Sequence, residues 1–247
     1  MTSRAVTAAH SLRFIKDRIG GANWTGVERG LDERGCAVLQ GLLHPEACRA
    51  TSGFYDSQDR FRSRIVMARH NFGSGEYKYF ACPLPETVAE LRNGLYAPLA
   101  AIANRWNAAL RSDQIFPPDL ASYLERCHAA GQTRPTPLML KYVTGDYNCL
   151  HQDLYGEHVF PLQVAILLSQ PGKDFSGGEF VLTEQRPRMQ SRVEVVPLEM
   201  GDGVVFAVHH RPVKGMRGTY RVTMRHGVSR IRSGNRFTLG IIFHDAK

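Results

Sequence analysis

Three residues that can bind a metal ion stand out in this chain of 247 residues: His151, Asp153 and His226. The stretch 138–153 starts as a predicted strand and ends in His151 and Asp153, which are two positions apart. On an extended chain such residues face the same side, about 7 Å apart at Cα. With His226 as a third ligand, the pair would form the 2-His-1-carboxylate site that holds non-heme Fe(II) and leaves coordination positions open. A second pair of similar spacing, His44 and Glu46, is interpreted as a helix start, because Pro45 lies between them.

A basic residue follows the last of these three candidate ligands. Arg236 lies ten residues after His226 and begins an apolar strand, on which Thr238 shares its face. In this order, His151, Asp153, His226 and Arg236 resemble the signature of the 2-oxoglutarate/Fe(II)-dependent oxygenases, over residues 136–243. The resemblance implies Fe(II) as the metal, with 2-oxoglutarate and O2 as co-substrates. Decarboxylation of 2-oxoglutarate to succinate and CO2 is then coupled to oxidation of a C–H bond.

The resemblance also implies a role for Arg236, which is expected to bind the C5 carboxylate of 2-oxoglutarate. A planar guanidinium pairs with a carboxylate through two parallel hydrogen bonds. Thr238 and Tyr142 are candidates for further hydroxyl donors to the same oxygens. For Tyr142 the alternative is a core aromatic residue on a strand. His209 and His210 are interpreted as a surface or substrate-side pair.

The elements that must position these residues change in type along the chain. Helices are predicted at residues 5–20, 24–34, 45–55, 85–110 and 118–130, with one strand at 36–43. Beyond residue 135, Gly- and Pro-rich turns separate short strands, which is typical of an antiparallel jelly roll. Strands are predicted at 138–143, 159–168, 179–182, 193–197, 204–208, 220–224 and 237–243.

We therefore predict an α+β fold, a double-stranded β-helix (jelly roll) with N-terminal helices packed against it. Residues 1–135 form the N-terminal helical, substrate-side extension. Residues 136–247 form the catalytic core, within one compact domain overall.

The charge distribution indicates the kind of partner, and the cysteine content indicates the compartment. The net charge is +8, and residues 186–236 alone hold eleven Lys and Arg against three acidic residues. Such a local excess favours a polyanionic partner, although a solvated basic surface is the alternative. The five cysteines include no Cys-x-x-Cys pair, which favours a reducing compartment. No apolar run approaches the roughly 20 residues of a membrane span, and the N-terminus lacks a signal core. We expect a cytoplasmic protein, with a monomer as the default.

The substrate is less clearly indicated. Residues 60–80 mix five basic with five aromatic side chains around a Gly-Ser-Gly loop, a composition suited to phosphates and stacked bases. AlkB-type demethylases carry a second arginine beyond the cofactor arginine, whereas residues 237–243 hold none, so the core looks closer to prolyl-hydroxylase-type members. The candidate substrate-binding residues are Arg62, Arg64, Phe72, Tyr77, Lys78, Tyr79, Arg211, Lys214 and Arg217.

The sequence is compatible with three functions. The favoured one is hydroxylation or oxidative demethylation of single-stranded or flipped-base DNA or RNA, in alkylation repair or modification. A protein side-chain (prolyl-type) hydroxylase is the first alternative. A catalytically inactive nucleic-acid-binding barrel is the second.

Overall fold

Most helices of the protein lie in the first half of the chain. The computed structural model describes residues 2–154, 156–216 and 218–247, with side chains described from residue 11 onward. Within these residues the helices are α1 (Thr2–Gly20), α2 (Trp24–Arg34), α3 (Pro45–Ser52), α4 (Glu86–Ala109) and α5 (Leu120–Ala129). Two short 3-10 turns lie at Gly53–Asp56 and Met67–His70.

Capping residues explain where several helices begin and end. Asn23 accepts a hydrogen bond from the Gly26 N–H at the start of α2, and Asp119 accepts one from Ser122 at the start of α5. Gly35 ends α2 in the left-handed conformation, with φ of 79°. Pro45 occupies the first turn of α3, so the helix start predicted at His44 is confirmed.

The strands follow one another closely after residue 135, with four more before it. Their bounds are β1 (Cys36–Leu39), β2 (Phe61–Val66), β3 (Gly73–Ser74), β4 (Glu76–Phe80), β5 (Leu138–Val143), β6 (Tyr147–His151), β7 (Leu162–Leu167), β8 (Phe175–Gly177), β9 (Phe180–Gln185), β10 (Arg192–Val196), β11 (Gly203–Ala207), β12 (His210–Gly215), β13 (Gly218–Val228) and β14 (Ile231–Ile241).

The strands pair antiparallel in two sheets. The large sheet has the order β1-β11-β7-β14-β5-β4-β2, with β8 beside β14. The small sheet has the order β10-β9-β13-β6-β3, with β12 beside β13. The chain passes repeatedly from one sheet to the other, as it does along β5, β6 and β7. This arrangement is a double-stranded β-helix, and the predicted fold class is confirmed.

Helix α4 packs on the large sheet and is anchored to its end. The residues at helical spacing on α4 are buried, as predicted: Val88, Leu91, Leu95, Leu99, Ile102 and Trp106. Arg92, also buried, donates from Nε to the carbonyl of Ile242 at 2.9 Å and from Nη2 to Asp245 at 2.7 Å. No helix in the described ranges is both long and apolar enough to cross a membrane.

Residues 60–80, which we call the crossover strap, join the two sheets along one side. β2 and β4 extend the large sheet beyond β5, while β3 pairs with β6 of the small sheet. The predicted Gly-Ser-Gly loop is therefore partly a strand. Gly73 and Gly75 have φ of 124° and 126°, a region that side-chain-bearing residues rarely adopt.

Some predicted strands differ from the observed ones. The strand predicted at 36–43 ends at Leu39, because Gly41 turns the chain with φ of 55°. The last two strands are longer than expected: β13 and β14 each have eleven residues, and the chain passes from the small sheet to the large sheet between them. β12 was not predicted. The proposed division at residue 135 stays a prediction, although β1 already pairs with β11 of the core.

Candidate active site

Three potential metal ligands meet between the two sheets. His226 on β13 is the cross-strand partner of His151 on β6, and Asp153 lies two residues beyond β6. Nε2 of His151 is 3.5 Å from Oδ1 of Asp153, and Nε2 of His226 is 3.4 Å from Oδ2. One ligand atom from each residue lies within 4.8 Å of the others, which suits bonds of about 2.0–2.2 Å to one ion.

The charges in this cluster match what a metal ion requires. Burial opposes ionisation of Asp153, but hydrogen bonds and attraction from both histidines hold its pKa well below the usual range. Burial, together with repulsion from His151, lowers the pKa of His226. Burial also acts against a charged His151, yet Asp153 outweighs it and raises the pKa of His151. The cluster thus favours an ionised carboxylate and a neutral His226, and an ion would compete with a proton for His151.

Neighbouring groups fix the orientation of both imidazoles. Nδ1 of His151 lies 2.7 Å from the carbonyl oxygen of Cys149, which leaves Nε2 directed at the cluster. The ring of His226 packs 4.5 Å from that of Phe206 and stacks on Phe180 at 6.1 Å. These two aromatic rings shield His226 from solvent.

A cavity of about 220 Å³ opens beside the cluster. One wall of the cavity includes Arg236, Thr238 and Gly240, which occupy alternate positions on β14 and therefore lie on the same face of the sheet. Each of them is paired with a residue of β5. The aromatic lining residues are Phe72, Tyr77, Tyr79, Tyr142, Phe180 and Phe206. The other lining residues include Leu138, Leu140, Asn148, Gln152, Gln163, Val164, Ala165, Val228 and Ile242.

Arg236 provides a buried positive charge at one end of the cavity. Its side chain is 1% exposed, and Nη1 donates to Thr238 Oγ1 at 2.5 Å. Nε has no hydrogen-bond partner in the described residues, and burial lowers the pKa of Arg236 to about 10. Tyr142, its cross-strand partner, has its ring 5.8 Å from the guanidinium carbon. A buried guanidinium with unused donors fits the distal carboxylate of a dicarboxylate such as 2-oxoglutarate.

The structure separates the residues predicted in the crossover strap into two groups. Phe72, Tyr77 and Tyr79 line the cavity, and Phe72 is 43% exposed at its mouth. Arg62 lies behind Tyr79, with its guanidinium carbon 4.5 Å from the ring centre, and donates to the carbonyl of Pro135 at 2.9 Å.

Arg64 and Lys78 are corrections to the predicted substrate site. Side chains alternate along β4, so Lys78 and its neighbour Arg64 on β2 face away from Tyr77 and Tyr79. Arg64 forms an ion pair with Glu76, and Lys78 donates to the carbonyl of Tyr55 at 2.7 Å. Both cations are therefore occupied on the side opposite the cavity.

Arg211 is a further correction, because it is a core residue and not a surface cation. It is 1% exposed and donates from Nε to Glu184 at 3.0 Å and from Nη2 to the carbonyl of Glu33 at 3.1 Å. It ties the end of α2 to β9 and β12. Lys214 is exposed on β12, whereas Arg217 lies outside the described residues.

Sequence reasoning missed several residues of the cavity. Gln163 is 4% exposed on β7, a strand whose every residue is buried, and a glutamine in such an apolar run was a usable signal. Phe180 and Phe206 gave no such signal, because buried aromatics on strands are ordinary core residues. His209 and His210 stack at 3.5 Å but are not among the cavity-lining residues.

Comparison with known families gives a specific match. Residues 75–246 fit the model of a family described as an oxygenase catalysing oxidative methylation of damaged DNA. Two curated Mycobacterium tuberculosis proteins, from different strains and both described as uncharacterised, are each 54% identical over 167 residues. The match spans 68% of this chain and 72% of theirs.

Solved structures share the architecture at low identity. A 2OG-Fe(II) oxygenase family oxidoreductase from Burkholderia pseudomallei has a TM-score of 0.53 at 14% identity, over 92% of this chain and 94% of its own. A Pseudomonas putida prolyl-4-hydroxylase has a TM-score of 0.51 at 14% identity, over 90% of this chain and 100% of its own. At this identity the similarity concerns the fold.

Proposed function

The chain belongs to a family of 2-oxoglutarate/Fe(II)-dependent oxygenases, and from that premise we propose that it oxidises an alkylated base in single-stranded or flipped-out nucleic acid. Fe(II), 2-oxoglutarate and O2 are its metal and co-substrates. Together they supply the oxidation of a C–H bond, a chemistry beyond any amino-acid side chain. An inactive barrel does not fit this assignment.

The proposed ligands of the iron are His151, Asp153 and His226. Their ligand atoms converge from one side, which leaves the side toward the cavity for co-substrate and substrate. Arg236 and Thr238 are proposed to hold the C5 carboxylate of 2-oxoglutarate, with the Tyr142 hydroxyl beside them. What supports this is the buried guanidinium with an unused Nε donor.

The observation that carries the nucleic-acid proposal is the set of aromatic rings at the cavity mouth. Tyr77 and Tyr79 pack edge to face at 5.4 Å, and Phe72 is stacked on His70 with centroids 5.3 Å apart. Rings at a mouth leading to a metal cluster suit a base removed from its stack, because every base offers a flat π face. Phosphates would lie outside, near exposed cations such as Lys214.

The test is turnover of 2-oxoglutarate with three kinds of primary substrate. Methylated single-stranded oligonucleotides are expected to stimulate succinate formation, with formaldehyde released when the methyl group is on nitrogen. Unmethylated strands of the same sequence are the matched control, and a proline-containing peptide tests the protein hydroxylase. Stimulation by the peptide without stimulation by any oligonucleotide would replace the proposal with the alternative.

A further inference from the structure

One side-chain amide in the cavity has a nitrogen without a hydrogen-bond partner among the described residues. Gln163 on β7 is 4% exposed and lines the cavity, and its Nε2 lacks a hydrogen-bond acceptor in the described residues. Buried amide groups are nearly always hydrogen-bonded, because leaving one unpaired after removal from water is unfavourable. A ligand in the cavity would provide the missing acceptor.

The position of Gln163 points to the primary substrate and not to 2-oxoglutarate. Gln163 is the cross-strand partner of Phe206, whose ring packs 4.5 Å from His226. Thr238 is opposite Leu167, four residues farther along β7, which is roughly 13 Å away at about 3.3 Å per residue. Gln163 therefore lies beside the metal cluster, at the end of the cavity away from Arg236.

The charge of the cavity restricts what can enter this end. Among the described lining residues, Asp153 is the only carboxylate, and its charge is engaged with His151 and His226. A permanently cationic group would be removed from water without an anion of its own, which is costly. A neutral group meets aromatic faces and the amide of Gln163, a group that can both donate and accept hydrogen bonds.

We propose that Gln163 is a specificity-determining residue that selects an electrically neutral alkylated base over a cationic one. Its Nε2–H donates to a ring nitrogen or carbonyl oxygen of the base. Its Oε1 accepts from an exocyclic N–H where the base has one, as N6-methyladenine does. This inference rests on the proposed function and adds the charge class of the base.

The experiment compares substrates of the two charge classes with the full chain, Fe(II), 2-oxoglutarate and O2. Oligonucleotides carry one N6-methyladenine or N3-methylthymine, which are neutral, or one N1-methyladenine or N3-methylcytosine, which are cationic. We expect a higher kcat/KM for the neutral pair. Gln163→Met keeps the volume and removes the hydrogen-bonding groups of the amide, so kcat/KM for neutral bases should fall roughly tenfold or more. Gln163→Glu should shift the neutral-to-cationic ratio roughly tenfold toward the cation.

Two further readouts separate recognition from a structural role. The KM for 2-oxoglutarate and the affinity for Mn(II) should stay within about twofold in Gln163→Met, because neither the proposed co-substrate site nor the proposed metal ligands include Gln163. The exposed Gln190→Met is the matched control. Equal losses for all bases, a loss of 2-oxoglutarate affinity, or a wild-type preference for cationic bases would overturn the inference while leaving the proposed function in place. Failure of the wild type to oxidise any oligonucleotide would overturn the proposed function itself.

Discussion

His151 and His226 are direct cross-strand partners in the small sheet, with ring centroids 4.2 Å apart. Two residues separated by 75 positions in sequence are thereby held at the distance that one metal ion requires. The pairing of β6 with β13 also shifts register between His226 and Val228, on the side of His151 that is away from Asp153. The geometry of the cluster is thus set by main-chain pairing before any ion binds.

Replacing Asp153 with Ala is expected to abolish succinate formation and to weaken Mn(II) binding by roughly 100-fold or more, since a charged ligand is lost. Isothermal titration with Mn(II) under anaerobic conditions measures the binding separately from turnover. His44→Ala is the matched control, because His44 belongs to a His-x-acid pair at a helix start. Retention of metal binding in both Asp153→Ala and His151→Ala would place the site elsewhere.

Arg236→Ala is expected to raise the apparent constant for 2-oxoglutarate by more than roughly tenfold, because losing a buried charge-assisted pair costs about 2–5 kcal/mol. Mn(II) affinity should change little, since Arg236 lies at the other end of the cavity. Steady-state kinetics at varied 2-oxoglutarate measures the constant. Arg232→Ala, an exposed position on the same strand, is the control, and an equal effect there would contradict the assignment.

Truncation of the mouth aromatics tests their role in holding a base. Phe72→Ala and Tyr79→Leu are each expected to weaken the productive complex by about 1–3 kcal/mol, the usual contribution of a ring stacked on a base. Turnover of a methylated strand should fall more than its binding, which phosphate contacts dominate. The control is Tyr147→Ala, an exposed aromatic that is not among the cavity-lining residues. Equal losses in turnover and binding would argue against a flipped base.

The salt dependence of binding tests the basic surface. With roughly three to six phosphate contacts, the log–log slope for a single strand should be about −2 to −4, at about −0.7 per phosphate. Fluorescence anisotropy from about 50 to 300 mM salt measures it. Lys214→Glu with Arg221→Glu should weaken binding to all sequences alike, since phosphate contacts carry no base information.

The buried Arg211 is excluded from that test, and the exposed Arg49→Glu in the helical half is the matched control. An equal effect of Arg49→Glu would show that binding is not localised to the catalytic half. A flat salt dependence would count against a nucleic-acid partner altogether.

Glu184 should contribute to stability in a pH-dependent way. Burial opposes its ionisation, but hydrogen bonds from Arg186 and Arg211 outweigh burial and lower its pKa. Because the pKa of Glu184 is lower in the folded state than its unfolded value near 4.5, the ionised carboxylate stabilises the fold above about pH 4.5. This stabilisation is lost as the pH falls from there through the folded-state pKa. Glu184→Gln should therefore cost about 3–5 kcal/mol at pH 7, as expected for breaking a buried pair.

The difference in unfolding free energy between the wild type and Glu184→Gln should narrow below about pH 4.5. Urea denaturation at pH 7 and at pH 4 measures it. Glu199→Gln, outside this ion-pair network, serves as the control. If the difference in unfolding free energy between the wild type and Glu184→Gln were the same at pH 7 and pH 4, a lowered pKa of Glu184 would be contradicted.

His151 and Asp153 could be predicted from the sequence because they are local, whereas His226 was identified through the resemblance to the oxygenase signature. His151 and Asp153 are related by strand periodicity, and Arg236 and Thr238 by the same rule. Arg211 shows the opposite case, because the pattern of β12 does not reveal that the end of α2 covers one of its faces. Arg64 and Lys78 were misjudged for a related reason, since composition indicates charge but not which face of a strand meets the cavity.

The glycines of the crossover strap set the width of the cavity entrance. A Cβ at Gly75 would lie 2.8 Å from Cδ1 of Tyr142, and one at Gly73 would lie 2.4 Å from the carbonyl oxygen of Tyr147. Either substitution must push the strap away from the barrel. The strap is held to the small sheet through the two residues of β3 and the adjacent carbonyl of Phe72, which accepts from Cys149 N–H, so it would separate there first. Gly73 and Gly75 are therefore the positions at which an engineer could enlarge the entrance for bulkier molecules without altering the metal ligands.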